Sequence, residues 1–232
     1  MTGIIRKTKN WLQDNKIIFE IGSALCIGLA SLCVSFFSWR TSEAQLKVAQ
    51  AGLTPNIYTK RELKFDPTDQ KYNNDILEVI NSGGAIHNTE INVATFIRVR
   101  IYDDGKSRSV YVPVNGYYFP QYRTGEPTGV LATFTGYDNN KKFSNLFRSS
   151  IGNGDGSSEV EIDLVRVVKV KYIDHLDRKN TMYFINSELT DGPDAEAMLK
   201  TSHIMPMLDI DTVSLQDIVS KAKNDKRLYQ RD

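Results

Sequence analysis

The chain is poor in the residues that carry chemistry. Of its 232 residues two are cysteine, Cys26 and Cys33, and three are histidine, His87, His175 and His203. Both cysteines fall inside one apolar run. Seven positions apart on a helix, they are separated by about 10 Å of rise, too far to bridge each other. They read as small apolar fillers, so the rest of the chain has neither a disulfide nor a thiol nucleophile. The histidines stand alone, with no second ligand at a spacing such as H-x-x-x-H. No G-x-S-x-G elbow occurs, and the paired carboxylates Asp103-Asp104 and Asp209/Asp211 sit in polar turns where solvation suffices. The glycine-rich Gly152–Ser157 segment precedes a strand and lacks a Lys-Ser/Thr ending, which favours a hairpin loop over a phosphate loop. Glu159 lies too close to it to complete a calcium loop. Twenty-nine basic against 28 acidic residues, net +1, exclude nucleic-acid binding through bulk charge. No Asn-x-Ser/Thr acceptor is present either. The sequence thus offers no catalytic residue, no cofactor site and no metal site.

What is present is a concentrated hydrophobic run. Ile21–Trp39, IGSALCIGLASLCVSFFSW, holds no charge, and at 1.5 Å per residue it spans about 28 Å, close to the hydrocarbon thickness of a bilayer. Ile17, Ile18 and Phe19 extend it, and Trp39-Arg40 closes it with an interfacial aromatic followed by a charge. A signal peptide has a shorter apolar region and a clear cleavage site, so the run reads as an uncleaved anchor over 17–39, behind a basic flank over 1–16. Arg6, Lys7, Lys9 and Lys16 outnumber Arg40 and Lys47, which orients the N-terminus to the cytoplasm and the C-terminal domain to the periplasm of an inner membrane, with a cytoplasmic domain as the alternative. Ala24, Gly28, Ser31, Ser35 and Ser38 recur at steps of four and three. One helix face is therefore small enough for a second helix to approach, giving a candidate self-association stripe.

Beyond the span, residues 40–54 hold helix formers and end at Gly52 and Pro55, predicting a helical stalk. The period then changes to two. Strands are predicted over 57–65, 76–80, 91–102, 109–112, 129–135, 160–172 and 181–185, punctuated by Asn, Asp and Gly turns. Seven such strands over 55–190 predict a mainly β fold, an antiparallel β-sandwich of immunoglobulin-like architecture without the cysteines and core tryptophan of true immunoglobulin domains. A short helix is expected at 141–149. The segment 191–232 is expected to be helical over 194–201 and 214–229, the second helix capped by Ser214 with Asp217.

The layout of one span, a stalk ending in Leu53-Thr54-Pro55, the turn Asn81-Ser82-Gly83-Gly84-Ala85-Ile86-His87-Asn88 and a late Tyr172-Ile173-Asp174 resembles a loose group of uncharacterised bacterial single-pass membrane proteins. In that group an N-x-G-x-A-x-x-N turn and a Tyr-x-Asp hairpin mark a small β-sandwich. The resemblance covers most of residues 20–187. It implies the architecture, and no activity comes with it.

The most unusual segment outside the span is Asn115–Arg123, where Tyr117, Tyr118, Phe119 and Tyr122 place four aromatics in six residues. Tyrosine-rich loops supply rigid amphipathic contact area, which makes these four the candidate partner-binding residues. A core-facing strand carrying Tyr117 and Phe119 is the competing reading. The expected function is a membrane-anchored, non-enzymatic interaction or sensing module, in contact with the lipid bilayer, a protein partner and further copies of itself. The alternatives are a membrane-tethered hydrolase with a dispersed site and an effector that perturbs the membrane by oligomerising its span. Sidedness has a direct test: alkaline phosphatase fused after Asp232 is expected to be active, and activity only from a cytoplasmic fluorescent reporter reverses the orientation.

Overall fold

The computed structural model describes residues 11, 13, 15–103, 106–152 and 160–231. The basic residues Arg6, Lys7 and Lys9, the expected turn at Asp104-Gly105 and the glycine-rich segment 153–157 lie outside the described residues. The chain divides into two compact units, one up to Gly52 and one from Leu53 onward.

The first unit is dominated by a single helix, α1 (Lys16–Leu53, 38 residues), about 57 Å long at 1.5 Å per residue. Span and stalk are one uninterrupted helix, long and apolar enough over Lys16–Gln50 to cross a membrane, with none of that stretch buried inside the protein. The hydroxyls of Ser31 and Thr41 donate back to the carbonyls of Ile27 (2.8 Å) and Phe37 (2.9 Å), which pairs these two donors within the helix.

Among the described residues the second unit contains eleven strands. These are β1 (Ile57–Asp66), β2 (Lys71–Asn81), β3 (Ile86–Asp103), β4 (Lys106–Asn115), β5 (Phe119–Arg123), β6 (Gly129–Thr135), β7 (Val160–Asp174), β8 (Lys179–Ile185), β9 (Glu188–Thr190), β10 (Leu208–Asp209) and β11 (Tyr229–Arg231). Helix α2 (Asn139–Gly152) precedes β7, while α3 (Gly192–Ile204) and α4 (Leu215–Asn224) lie near the C-terminus. One sheet has the order β1-β2-β6-β5. The other runs β10-β4-β3-β7-β8-β9, with β11 also on β4. Every pairing is antiparallel except the two-residue β10–β4 contact. The four strands beyond the expected seven, β5, β9, β10 and β11, are short, and β5 has no buried residue, so it shows no alternation to read. The expected helix over 214–229 stops at Asn224, because Leu228 enters the core and Tyr229 pairs with Tyr111, their rings 5.3 Å apart. The expected capping box is present, Ser214 accepting from the Asp217 N–H.

Alternation decides which side chains meet. On β2, Leu77 and Val79 face inward, and with Phe134 of β6 they pack on Val168 and Val170 of β7 and Phe184 of β8. Farther along the second sheet, Val99, Val112, Ile162 and Leu164 pack beneath Leu146 of α2 and Ile218 and Ala222 of α4. The opposite face of that sheet presents Phe96, Val165 and Val167 to Ala195, Met198 and Leu199 of α3. β7 is therefore buried on both faces over Leu164–Val168, which is why Leu164, Val165, Val167 and Val168 are apolar on either side of the strand.

The turn after β2 and the turn between β7 and β8 have local physical reasons. Buried Asn81 accepts from the N–H groups of Asn56 and Gly83 (3.1 Å each) and donates to the carbonyls of Gly84 (2.8 Å) and Pro127 (2.9 Å), tying chain entry, turn and a neighbouring loop together. A Cβ on Gly84 would lie 1.9 Å from the Leu53 carbonyl oxygen, so only glycine fits beside the entering chain. At the β7–β8 turn, Asp174 accepts from the backbone N–H groups of Leu176 (2.9 Å) and Arg178 (3.1 Å) and from the Arg178 side chain (2.9 Å). Burial pushes its pKa up, but these donors more than offset that and hold it at about 2. Because the folded value is depressed below the ordinary unfolded value of about 3.9, the carboxylate stabilises the fold fully above that value and loses its contribution as pH falls towards 2. Urea midpoints between pH 5 and pH 2 are expected to fall more steeply for the wild type than for Asp174→Asn, and parallel curves would refute this.

Candidate functional site

β4 ends at Asn115, and the chain then crosses from the second sheet to the first. Gly116 makes this possible with φ +78°, and a Cβ there would lie 3.2 Å from both Asp209 Oδ1 and Ile210 Cγ2. The crossing carries Tyr117 between the sheets, where it is fully buried and donates its hydroxyl to Asp75 Oδ2 at 2.9 Å. The same oxygen accepts from Arg166 Nη2 at 2.6 Å and from Arg61 Nε at 2.9 Å. Arg166 Nε donates to the Tyr118 hydroxyl at 3.0 Å, and the Tyr117 and Tyr118 rings meet edge to face at 4.8 Å. Asn139, the first residue of α2, completes the cluster. Its Nδ2 donates to the carbonyls of Asp75 and Tyr117 (2.9 Å each), and its Oδ1 accepts from the Asp75 N–H at 2.7 Å.

Asp75 is completely buried, and all three side-chain donors converge on one oxygen, leaving Oδ1 without a hydrogen-bond partner. Burial, reinforced by the Asp75 charge, raises the pKa of Tyr117, and burial raises that of Tyr118, so both hydroxyls stay protonated. Burial works against the charge on Arg166, but Tyr118 and Asp75 outweigh it and raise its pKa. The two tyrosine hydroxyls and the Arg166 guanidinium thus all keep their protons at neutral pH. Among the described residues no three His, Cys, Asp or Glu side chains converge as metal ligands.

The four aromatic candidates therefore separate. Tyr117 is core, and Tyr118 is half-buried with its hydroxyl engaged by Arg166. Phe119 and Tyr122, on β5, are 56% and 62% exposed. In a regular strand, positions 119 and 122 point to opposite faces. Here a bulge between Pro120 and Tyr122 sets Phe119 opposite Thr135 and Tyr122 opposite Thr133, two residues of the same outer face. Cross-strand rows extend that face: Tyr122, Thr133, Glu78 and Lys60 form one row, and Phe119, Thr135, Ile76 and Glu62 the next. The stripe Ala24, Gly28, Ser31, Ser35 and Ser38 lies on exposed positions of α1.

Asp75, Arg166, Arg61 and Asn139 were absent from the sequence-derived candidates. Their signal is positional. Arg166 interrupts Leu164-Val165-Arg166-Val167-Val168 on an inward register position, and Asp75 shares the inward set of β2 with Leu77 and Val79. A charge inside an apolar strand pattern requires a partner across the sandwich.

No protein-family model, no curated protein and no solved structure matches this chain.

The buried pair has a distinctive mutational signature. Arg166→Met leaves Asp75 buried with a weaker set of donors and is expected to cost about 3–5 kcal/mol, whereas adding Asp75→Leu to it recovers more than half of that loss. Urea unfolding of the two single variants and the double variant measures the coupling, and additive losses would show that the two side chains act independently.

Proposed function

We propose that this chain is a membrane-anchored, non-enzymatic interaction module, single-pass in an inner membrane, with α1 as anchor and the β domain on the periplasmic side. The anchor reading is supported by exposed apolar side chains along α1, among them Ile17, Leu25, Leu32 and Phe37, each at least 65% exposed. Such a surface is covered in the cell by lipid or by other helices, and the small-residue stripe from Ala24 to Ser38 suits a second copy. The four strands β1-β2-β6-β5 against β4-β3-β7-β8 follow the strand order of an immunoglobulin-like sandwich, with the Gly116 crossing as the switch between sheets.

The single observation that carries the binding reading is the outer face of the first sheet. The second sheet is covered by α3 on one side, and its solvated positions there are closed by cross-strand ion pairs: Arg98 with Asp163, Arg100 with Glu161, and Lys171 with Glu90. Among the described residues of the second unit no helix covers the outer face of the first sheet, which presents Tyr58, Phe119 and Tyr122 instead. A face meant only for water needs no bulge to turn a second aromatic outward. Pro120 and the charged β1 residues Lys60, Arg61 and Lys64 discourage strand addition at the two edges, so a partner engages this sheet by its face.

The test is site-specific photocrosslinking in native membranes, with the reactive residue at Phe119 or Tyr122 and a control at Leu189, which is equally exposed on β9. Discrete adducts from the two sheet positions and none from Leu189 are expected, together with a loss of about tenfold or more in adduct yield when the other aromatic is changed to Ala. Equal labelling from Leu189, or none from either sheet position, would overturn the reading.

A further inference from the structure

The end of β4 leaves a gap in the second sheet. Thr95 of β3 pairs with Val114, and Asn115 and Gly116 then turn away, so among the described residues β3 has no paired strand on that side at residues 92–94. Backbone direction shows which groups are exposed there. The N–H and carbonyl of Arg166 are both engaged by Asn186 on the β8 side of β7, so Thr95, which faces Arg166, directs its own polar groups away from β7. With a period of two, Val93 and Ile91 direct theirs the same way. Ile91 bears this out, since its carbonyl accepts from Arg123 Nη2 at 3.1 Å on the open side. Val93 is left with an N–H and a carbonyl pointing where β4 would have continued.

These groups open into a cleft of about 240 Å³. Tyr118, Phe119, Leu199 and Met207 supply its apolar lining, and Asn115 and His203 also line it. No Lys, Arg, Asp or Glu lines it among the described residues. Thr95, 5% exposed, also borders the cleft, and its hydroxyl is absent from the hydrogen bonds of the buried cluster next to it. An unpaired strand edge beside an apolar lining, with uncharged donors and acceptors, matches one ligand chemistry closely: a peptide backbone in extended conformation bearing an apolar side chain.

We propose that this cleft binds an extended, uncharged peptide segment, one residue of which exchanges both backbone hydrogen bonds with Val93 in the place β4 vacates. The inference rests on the reading of the domain as an interaction module and names its partner. The guanidinium of Arg123 closes the open edge at Ile91 and Asn115 closes it at the other end, so the added strand is short and the apolar side chain supplies much of the selectivity. Phe119 belongs to both the cleft lining and the outer sheet face, which makes the two surfaces continuous.

The test uses the full chain in lipid nanodiscs, labelled with 15N-valine, with the Val93 signal assigned from Val93→Ile. The probe is the blocked peptide acetyl-Thr-Val-Phe-Val-Thr-amide, alongside the same peptide N-methylated at the central amide, which keeps the side chain and removes the donor. The parent peptide is expected to shift the Val93 amide signal saturably and to bind about tenfold or more tightly than its methylated counterpart. Met207→Trp and His203→Trp, both at exposed cleft positions, are expected to weaken it at least as much while the Val168 and Val170 signals stay in place. The proposal is overturned if the two peptides bind equally, which would mark a pocket for apolar groups alone, or if Val93 does not move. Failure of this kind with sheet-face crosslinks retained at Tyr122 removes the cleft and leaves the interaction module standing, whereas loss of those crosslinks removes the module itself.

Discussion

The ion pair between Asp75 and Arg166 is the contact on which the two sheets agree. Both residues are inward-facing, Asp75 beside Leu77 and Val79 and Arg166 between Leu164 and Val168, and each is the charged partner closest to the other. Charges this deep gain from each other roughly what they lose by leaving water, so the pair does little to increase net stability over an apolar replacement. Its weight lies in what it forbids. Slipping β2 or β7 by one residue moves every side chain of that strand to the other face and leaves the charge on the opposing strand buried without its partner. Hydrophobic contacts such as Val79 on Val168 would tolerate a small slide, but the 2.6 Å Asp75–Arg166 contact does not. The pair also sits where the core divides, with Val168 and Val170 on one side of Arg166 and Ile162 and Leu164 on the other. Two apolar clusters that could each repack alone are held in a single register by a polar seam between them.

From that seam the exposed surface follows in steps. Asp75 takes the Tyr117 hydroxyl, and Arg166 takes that of Tyr118. Both tyrosines are thereby fixed in the crossing between sheets, which Gly116 turns and Asn139 holds by the Tyr117 carbonyl. With its start fixed, β5 meets β6 in a set register, and the bulge after Pro120 restores the pairing one residue late. The bulge is what brings Tyr122 to the same side as Phe119. A surface that looks like a cluster of adjacent aromatics is thus two surfaces, one turned inward as a scaffold and one turned outward for contact.

The long apolar helix α1, the seven main strands and the capped helix α4 are all legible in the sequence, because each has a local cause: an uncharged run, a change of period, a Ser214–Asp217 box. Long, two-sided β7 is legible for the same reason. What sequence reasoning could not resolve depends on contacts between distant residues. The four aromatics of 117–122 are equivalent by composition, and only the positions of Asp75 and Arg166, 42 and 49 residues away from Tyr117, separate Tyr117 from Phe119. The short edge strands β5, β9, β10 and β11 carry too few residues for a period to show. The end of α4 belongs to the same class, since Tyr229 leaves the helical pattern for a tertiary partner, Tyr111.

The treatment of each exposed β surface distinguishes structure from function in this fold. Where the second sheet meets solvent, its outward positions are paired charges across β3 and β7, an arrangement that screens readily, offers nothing to an apolar partner and costs little to keep. At the edges of the first sheet, lysines on β1 and a proline on β5 oppose strand addition. Against these precautions two places stand unguarded: the aromatic outer face of β5, and the β3 edge at Val93, where the guard, Arg123, covers Ile91 and stops one pair short. Both touch Phe119. An unprotected strand edge beside an exposed aromatic is an aggregation liability unless something occupies it. The same side chain borders both gaps, on a strand whose start is positioned by the Asp75–Arg166 contact, so anything that fills one gap also touches the other.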